Sequence, residues 1–227
     1  SAAFENGSAL IALDCASLTL DDDLIENCIM GVAVRKSNLS ADLNSIDNCG
    51  WGFYLDQMDA RNLQISNSKK IYFNSYGIHL TGSSNLTNLS IYSNKLKGLS
   101  SLASAGIEII GNGGSNQGTA NIYNHNTEFS IPSGCRGIDI TAYQRINIYS
   151  NTITYQSGGK QGIFLQNAPR CFLINNTITG YKNDAPFSSG IAALKSPYNT
   201  YCCNKVPGNA TGIYFSGDCD QSHVKHN

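Results

Sequence analysis

Charge is scarce in this sequence. Only 14% of its 227 residues are Asp, Glu, Lys or Arg, and the formal net charge is -1. A nucleic-acid binder needs a concentrated basic face, so that class is set aside. Long apolar runs are missing too. None reaches the roughly 18 to 20 residues that a membrane-spanning helix requires, so no membrane insertion is expected. Sustained helical spacing is also absent, and frequent Gly and β-branched residues would penalise a helix throughout. No signal peptide is visible. The opening Ser1-Ala2-Ala3-Phe4-Glu5-Asn6 reads like the interior of a repeat, which leaves any export signal upstream. Paired CxxC motifs are lacking, and the neighbours Cys202 and Cys203 are poorly placed to chelate one ion, so zinc is disfavoured.

What is present is a repeat. Gly-apolar-x-apolar recurs at Gly31 to Val34, Gly52 to Leu55, Gly77 to Leu80, Gly106 to Ile109, Gly137 to Ile140, Gly162 to Leu165, Gly190 to Ala193 and Gly212 to Phe215. Ile11-Ala12-Leu13 reads as a degenerate first copy. Successive glycines are 21, 25, 29, 31, 25, 28 and 22 residues apart, as loops of unequal length on a constant scaffold would produce. Between these copies lies a second motif: two apolar residues separated by one, a small polar corner, then one more apolar residue. Ile146 and Ile148, Asn151, then Ile153 is a clear instance. Its corner position holds Asp23, Asn44, Asn94, Asn151, Asn176 and Asn204. The copies near Asn67 and Asn126 carry an extra residue, which leaves their register open.

Alternation over three to five residues means short strands with one buried face. The expected fold is all-β: a right-handed single-stranded parallel β-helix of about nine coils, each with three short strands. Residues 1–227 would form a single β-helix domain, a segment of a longer chain whose flanking domains are its neighbours. Stacked coils about 4.8 Å apart would bury Val32, Phe53, Ile78, Ile107, Ile138, Ile163, Ile191 and Ile213 in one column. The recurring corner Asn suits both a left-handed bend and a ladder, because its amide donates and accepts.

Stacking also predicts a surface row. The x residues of the glycine motif point outward, which brings His79, Glu108 and Asp139 onto successive coils about 5 Å apart. Two carboxylates so close make one easier to protonate and suit acid–base work on a glycosidic bond. Tyr54 and Phe164 flank them as faces for sugar rings, while Arg136 and Lys160 lie where they would neutralise an acidic sugar. The competing reading is plain solvation of an exposed sheet. Asp21-Asp22-Asp23 is a calcium candidate, or simply a solvated turn; no other cofactor is indicated.

Eight cysteines with few charges favour an extracellular or cell-surface location. Cys28 and Cys49 each fall three residues after Ile25 and Ile46, one coil apart, in position for a disulfide. Cys171 reads as a buried thiol. The Gly-rich stretch from Gly111 to Gly118 lacks the Lys-Ser/Thr of a phosphate loop and is expected to wall a groove beside the row.

These phrases resemble the parallel β-helix repeat of the pectate-lyase-like superfamily, over nearly the whole chain. Asn27-Cys28, Asn48-Cys49 and Cys202-Cys203-Asn204 are similar to phrases in large secreted β-helix proteins of the Bacteroidota type. That superfamily spans lyases, hydrolases, epimerases, adhesins and stalks, so resemblance fixes the fold rather than the activity. The Gly-His-Gly and Arg-Ile-Lys of polygalacturonases are absent, as is the aspartate set of calcium-dependent pectate lyases. The expectation is therefore a surface module, structural or adhesive, that recognises a polysaccharide or cell-surface glycan. The alternative is a polysaccharide lyase or glycosidase using Glu108, Asp139 and His79.

Overall fold

A computed structural model describes residues 7–59, 61–83, 85–86, 88–112, 119–125, 129–132, 134–155, 160–180 and 189–227. Among these residues there are strands and turns but no helix, and every strand pairing is parallel. The chain winds as a β-solenoid with three faces. The glycine face stacks Ser8–Leu13, Met30–Arg35, Ala105–Gly111, Arg136–Thr141, Gln161–Gln166, Ser189–Leu194 and Thr211–Ser216. Two longer strands, Ser45–Asp56 and Ile71–Ser83, contribute their second halves to it. Their first halves belong to the short face, with Leu24–Glu26, Leu96–Gly98, Phe129–Ile131, Thr152–Tyr155 and Thr177–Thr179. The Ile-x-Ile face is a separate sheet of nine strands from Ser17–Asp21 to His223–Lys225. Nine stacked strands enclose about eight complete turns.

The inward column forms as the alternation predicts. Val32, Phe53, Ile78, Ile107, Ile138, Ile163 and Ile191 pair rung to rung and are fully buried, and Ile213 packs against their cluster. Burying each such side chain stabilises by roughly 1.5–3 kcal/mol, a gain that exists only once a neighbouring coil is in place. One detail is corrected. Leu10 pairs with Val32 and Ile11 with Ala33, so Ile11 faces outward on the first coil.

Glycine recurs because two backbones meet there. A Cβ at Gly31, Gly77 or Gly162 would lie 2.7, 2.5 or 2.8 Å from the carbonyl oxygen of the glycine on the next rung. No side chain fits at that distance, and φ is not the constraint at these positions.

The polar corner after the Ile-x-Ile strand takes two residues where one was expected. Asn67, Ser93, Asn124, Ser150, Asn175 and Cys203 take the left-handed backbone, and the residue that follows each makes the ladder. The division follows from reach: the ladder amide must turn inward to a carbonyl, so the bend falls to its predecessor. Asn151 Nδ2 donates to Asn176 Oδ1 (3.0 Å) and Ile122 O (3.0 Å). Asn176 repeats this towards Asn204 and Ile148 O, and Asn204 towards Asn227 and Leu173 O. Asn94 Nδ2 donates to Ile65 O, and its Oδ1 accepts from Ser68 N. The open registers resolve to Ser68 and His125; Asn126 lies outside the described residues.

Asn44 does not belong to the ladder. Ser45 N, one residue later than in other coils, bonds to Asp23 O, so Asn44 is an inserted residue. Leu43 takes the buried place, and its N donates to Ser68 Oγ (3.3 Å). Asp23 keeps the phase but is exposed.

Candidate functional site

The register of the glycine face sets His79 beside Glu108, Glu108 beside Asp139, and Asp139 beside Phe164. Tyr54 precedes His79 in the same column. These side chains leave the core as expected, yet most are not open to water. The residue three places earlier in the repeat folds over the row: Trp51 and Tyr76 cover His79, with ring centroids 5.1 and 4.9 Å away. The side chains of His79 and Glu108 are only 10% and 13% exposed.

Each carboxylate has its own partner. His79 Nδ1 lies 2.6 Å from Glu108 Oε2. Arg136 Nη1 donates to Asp139 Oδ2 at 2.5 Å, and Thr141 Oγ1 donates to Asp139 Oδ1 at 3.3 Å. Burial pushes the Asp139 carboxyl above the usual aspartate range. Arg136 opposes this, while the charge of Glu108 adds to it. Desolvation therefore outweighs the carboxylate repulsion that the stacking argument stressed.

Two expected sugar platforms are occupied. Tyr54 stacks on His79 at 5.5 Å and leans on Trp51 at 4.8 Å. The guanidinium of Arg136 lies 3.9 Å from the ring centroid of Phe164 and covers that face. Arg136 is further fixed by Gln161 Oε1 at 3.0 Å, so it is a structural cation before it is a ligand contact. Lys160 remains exposed at the rim.

A groove of about 490 Å³ opens over Glu108 and Asp139, with Arg136 and Lys160 on its border. The turn at 101–104 supplies one wall. Leu102 stands 83% exposed at its crest. The second wall expected from 111–119 falls mostly on 113–118, outside the described residues.

Sequence reasoning missed the aromatic cover, although Met30, Trp51 and Tyr76 occupy one repeat position before the glycine. It also missed a stack of Tyr92, Tyr123 and Tyr149 on the Ile-x-Ile face. The signal was the Tyr that follows the Ile-x-Ile phrase in three consecutive coils.

Cysteines and histidines are dispersed. Cys28 Sγ and Cys49 Sγ are 2.6 Å apart, and burial, then Cys49, pushes the Cys28 thiol up to about 12. Cys171 and Cys135 are buried thiols, each also raised to about 12 by desolvation. Among the described residues no three His, Cys, Asp or Glu side chains converge on a metal position. The calcium candidate thus lacks a convergent oxygen set: Asp22 instead lies 3.2 Å from Lys69 Nζ.

Two family models match. One, described as right handed beta helix region, covers residues 1–117; the other, described as periplasmic copper-binding protein (NosD), covers residues 98–227. Comparison with curated proteins and with solved structures gave no match. The described residues of 98–227 do not fit a copper centre. His125 is locked in the ladder against Asn151, Cys135 and Cys171 sit buried apart, and Cys202 and Cys203 supply only a neighbouring pair. Fold, glycine column and family match agree: the chain belongs to the right-handed β-helix family, and its residues 98–227 fall within the NosD family.

Proposed function

We propose that this chain is an exported β-helix module, structural or adhesive in character, that recognises a polysaccharide in the groove over Glu108 and Asp139. The observation that carries the reading is a pair of carboxylates on adjacent rungs, Glu108 held against His79 and Asp139 held by Arg136, at the floor of an open groove. A carboxylate held this way is a fixed acceptor for sugar hydroxyls, because its rotamer entropy has already been lost. Lys160 at the rim suits a sugar that bears its own carboxylate. The description of the matching family as periplasmic supports a location outside the cytoplasm.

A glycan array tests this with the intact chain, Asp139→Asn and Lys160→Ala. Uronate-containing polymers should bind the intact chain, and each variant should weaken that binding about tenfold, as loss of one charged hydrogen bond does. Equal binding by all three proteins removes the groove from recognition. The raised carboxyl of Asp139 beside the His79–Glu108 pair favours a second reading, acid–base cleavage of the bound chain. Release of new chain ends, lost in Glu108→Gln and Asp139→Asn, would carry it; unchanged release in both would end it.

A further inference from the structure

The Ile-x-Ile face carries a different surface, on another side of the solenoid from the groove. Its central outward column is Ser40, Gln64, Ser90, Asn121, Asn147 and Phe172, in unbroken register on successive rungs. Six rungs at about 4.8 Å span about 24 Å. The floor is concave in two stretches. One, of about 590 Å³, runs from Ser40 to Asn121; the other, of about 460 Å³, joins Asn147 to Phe172. Asn147 Nδ2 donates to Asn121 Oδ1 at 2.9 Å and links the two.

Both flanks are built as rows. On one side Asn88 Nδ2 donates to Asn62 Oδ1 (2.7 Å), and Asn38 Oδ1 accepts from Asn62 N (2.9 Å). On the other, Tyr92, Tyr123 and Tyr149 stack with centroids 4.8 Å apart and planes within 14° and 7°. Stacked rings show the solvent their edges and hydroxyls, one per rung. Phe172, 46% exposed, adds an aromatic side chain to the floor column.

From Gln64 to Asn147 no charged side chain stands among these floor and flank residues; Asp42 flanks Ser40 at the first rung. Charge appears at the Phe172 end, where Arg145 and Arg170 border the trough. A polyanion would find no cation along most of the length, and a protein partner would find no apolar centre of the kind stable interfaces use. Amides and hydroxyls that both donate and accept, repeated once per rung, match a polymer presenting neutral hydroxyls at a similar interval.

We infer that this trough binds an extended, uncharged polysaccharide lying parallel to the solenoid axis, with one sugar stacked on Phe172. The site is independent of the groove over Glu108, and its ligand differs in charge.

Titration calorimetry with the full chain tests it, using linear neutral hexasaccharides of β-1,4-linked glucose and of mannose, and polygalacturonate as the charged comparison. At least one neutral hexasaccharide should bind. Gln64→Ala with Asn147→Ala should weaken it tenfold or more, and Phe172→Ala by a similar factor, while Glu108→Gln leaves it unchanged. The substituted side chains point outward, and an unaltered unfolding midpoint verifies that the variants fold. Absence of binding by both neutral hexasaccharides overturns the inference. So does unchanged affinity in the trough variants, loss in Glu108→Gln, or a trough-dependent dimer in sedimentation, which would make a second copy the occupant.

Discussion

The coils before about residue 90 and those after it solve one problem differently. In the later coils the corner after the Ile-x-Ile strand is closed from inside: Asn94, Asn151, Asn176 and Asn204 are buried and bonded to backbone or to one another. In the earlier coils the same phase holds exposed Asp23, apolar Leu43 and Ser68. There the interior keeps only backbone-to-side-chain bonds, Leu43 N to Ser68 Oγ and Ser68 N to Asn94 Oδ1, and the side-chain pairs lie outside, with Asn27, Asn48 and Asn74 in a row, Lys69 on Asp22 and Lys70 on Asp47. What the fold demands is that each corner's buried backbone groups find partners; an interior amide ladder is one way to meet that demand. Bonds at the surface compete with water and are worth less, so the later coils should be the more strongly tied.

The largest effect that would sharpen this contrast is expected at Asn176. Asn176→Leu removes the acceptor of Asn151 and the donor to Ile148 O, leaving buried polar groups unpaired. A loss of about 3 kcal/mol in denaturant unfolding is expected. A loss below about 1 kcal/mol would break the contrast.

In the early coils the strongest tie would be covalent. A bond between Cys28 and Cys49 would close a loop of about 20 residues, and Cys28→Ser should then cost roughly 2–3 kcal/mol under oxidising conditions and little under reducing ones. Alkylation of the native chain followed by mass measurement checks it: both thiols should resist labelling until a reductant is added.

His125 sits at a ladder position with its Nδ1 2.8 Å from Asn151 Oδ1, and burial lowers its pKa to about 4. The unfolded chain takes up the proton near 6.5, the folded chain near 4, so the stability from a neutral His125 is complete above pH 6.5 and drains away as pH falls towards 4. At pH 5 the loss should be about 2 kcal/mol. His125→Asn should flatten the unfolding midpoint across that range; an unchanged slope would refute the assignment.

The smallest effect belongs to Leu43→Asn, which restores an amide to the ladder phase beside Ser68. The change should stay within about 1 kcal/mol, because lost apolar burial offsets the new bond. A larger loss would show that Leu43 is chosen for packing alone.

Most of the architecture was legible in the sequence because a solenoid writes every contact at one period. The inward column, the glycines and the His79–Glu108–Asp139 register all follow from counting residues between like positions. What failed depended on one residue more or less. Asn44 matches the ladder by type, yet an insertion shifts it outside and leaves Leu43 in its place. The groove was legible as a row of residues but not as a surface. Whether Tyr54 or Phe164 presents a free face depends on where Trp51 and Arg136 lie, and those positions were not read as a column. The stack of Tyr92, Tyr123 and Tyr149 is written in the sequence as a Tyr after the Ile-x-Ile phrase, but outward side chains carry no alternation that distinguishes stacked rings from solvated ones.

The glycine column has a consequence for how such a molecule can change. Vertical spacing is held by main chain resting on main chain, so neither outer surface has a part in setting it. The exterior behaves as a ruler with interchangeable teeth: swapping the outward groups of one turn rewrites a single mark, and adding a whole turn lengthens the scale. One extra residue within a turn is absorbed at its bend, as at Asn44, before the next mark is reached.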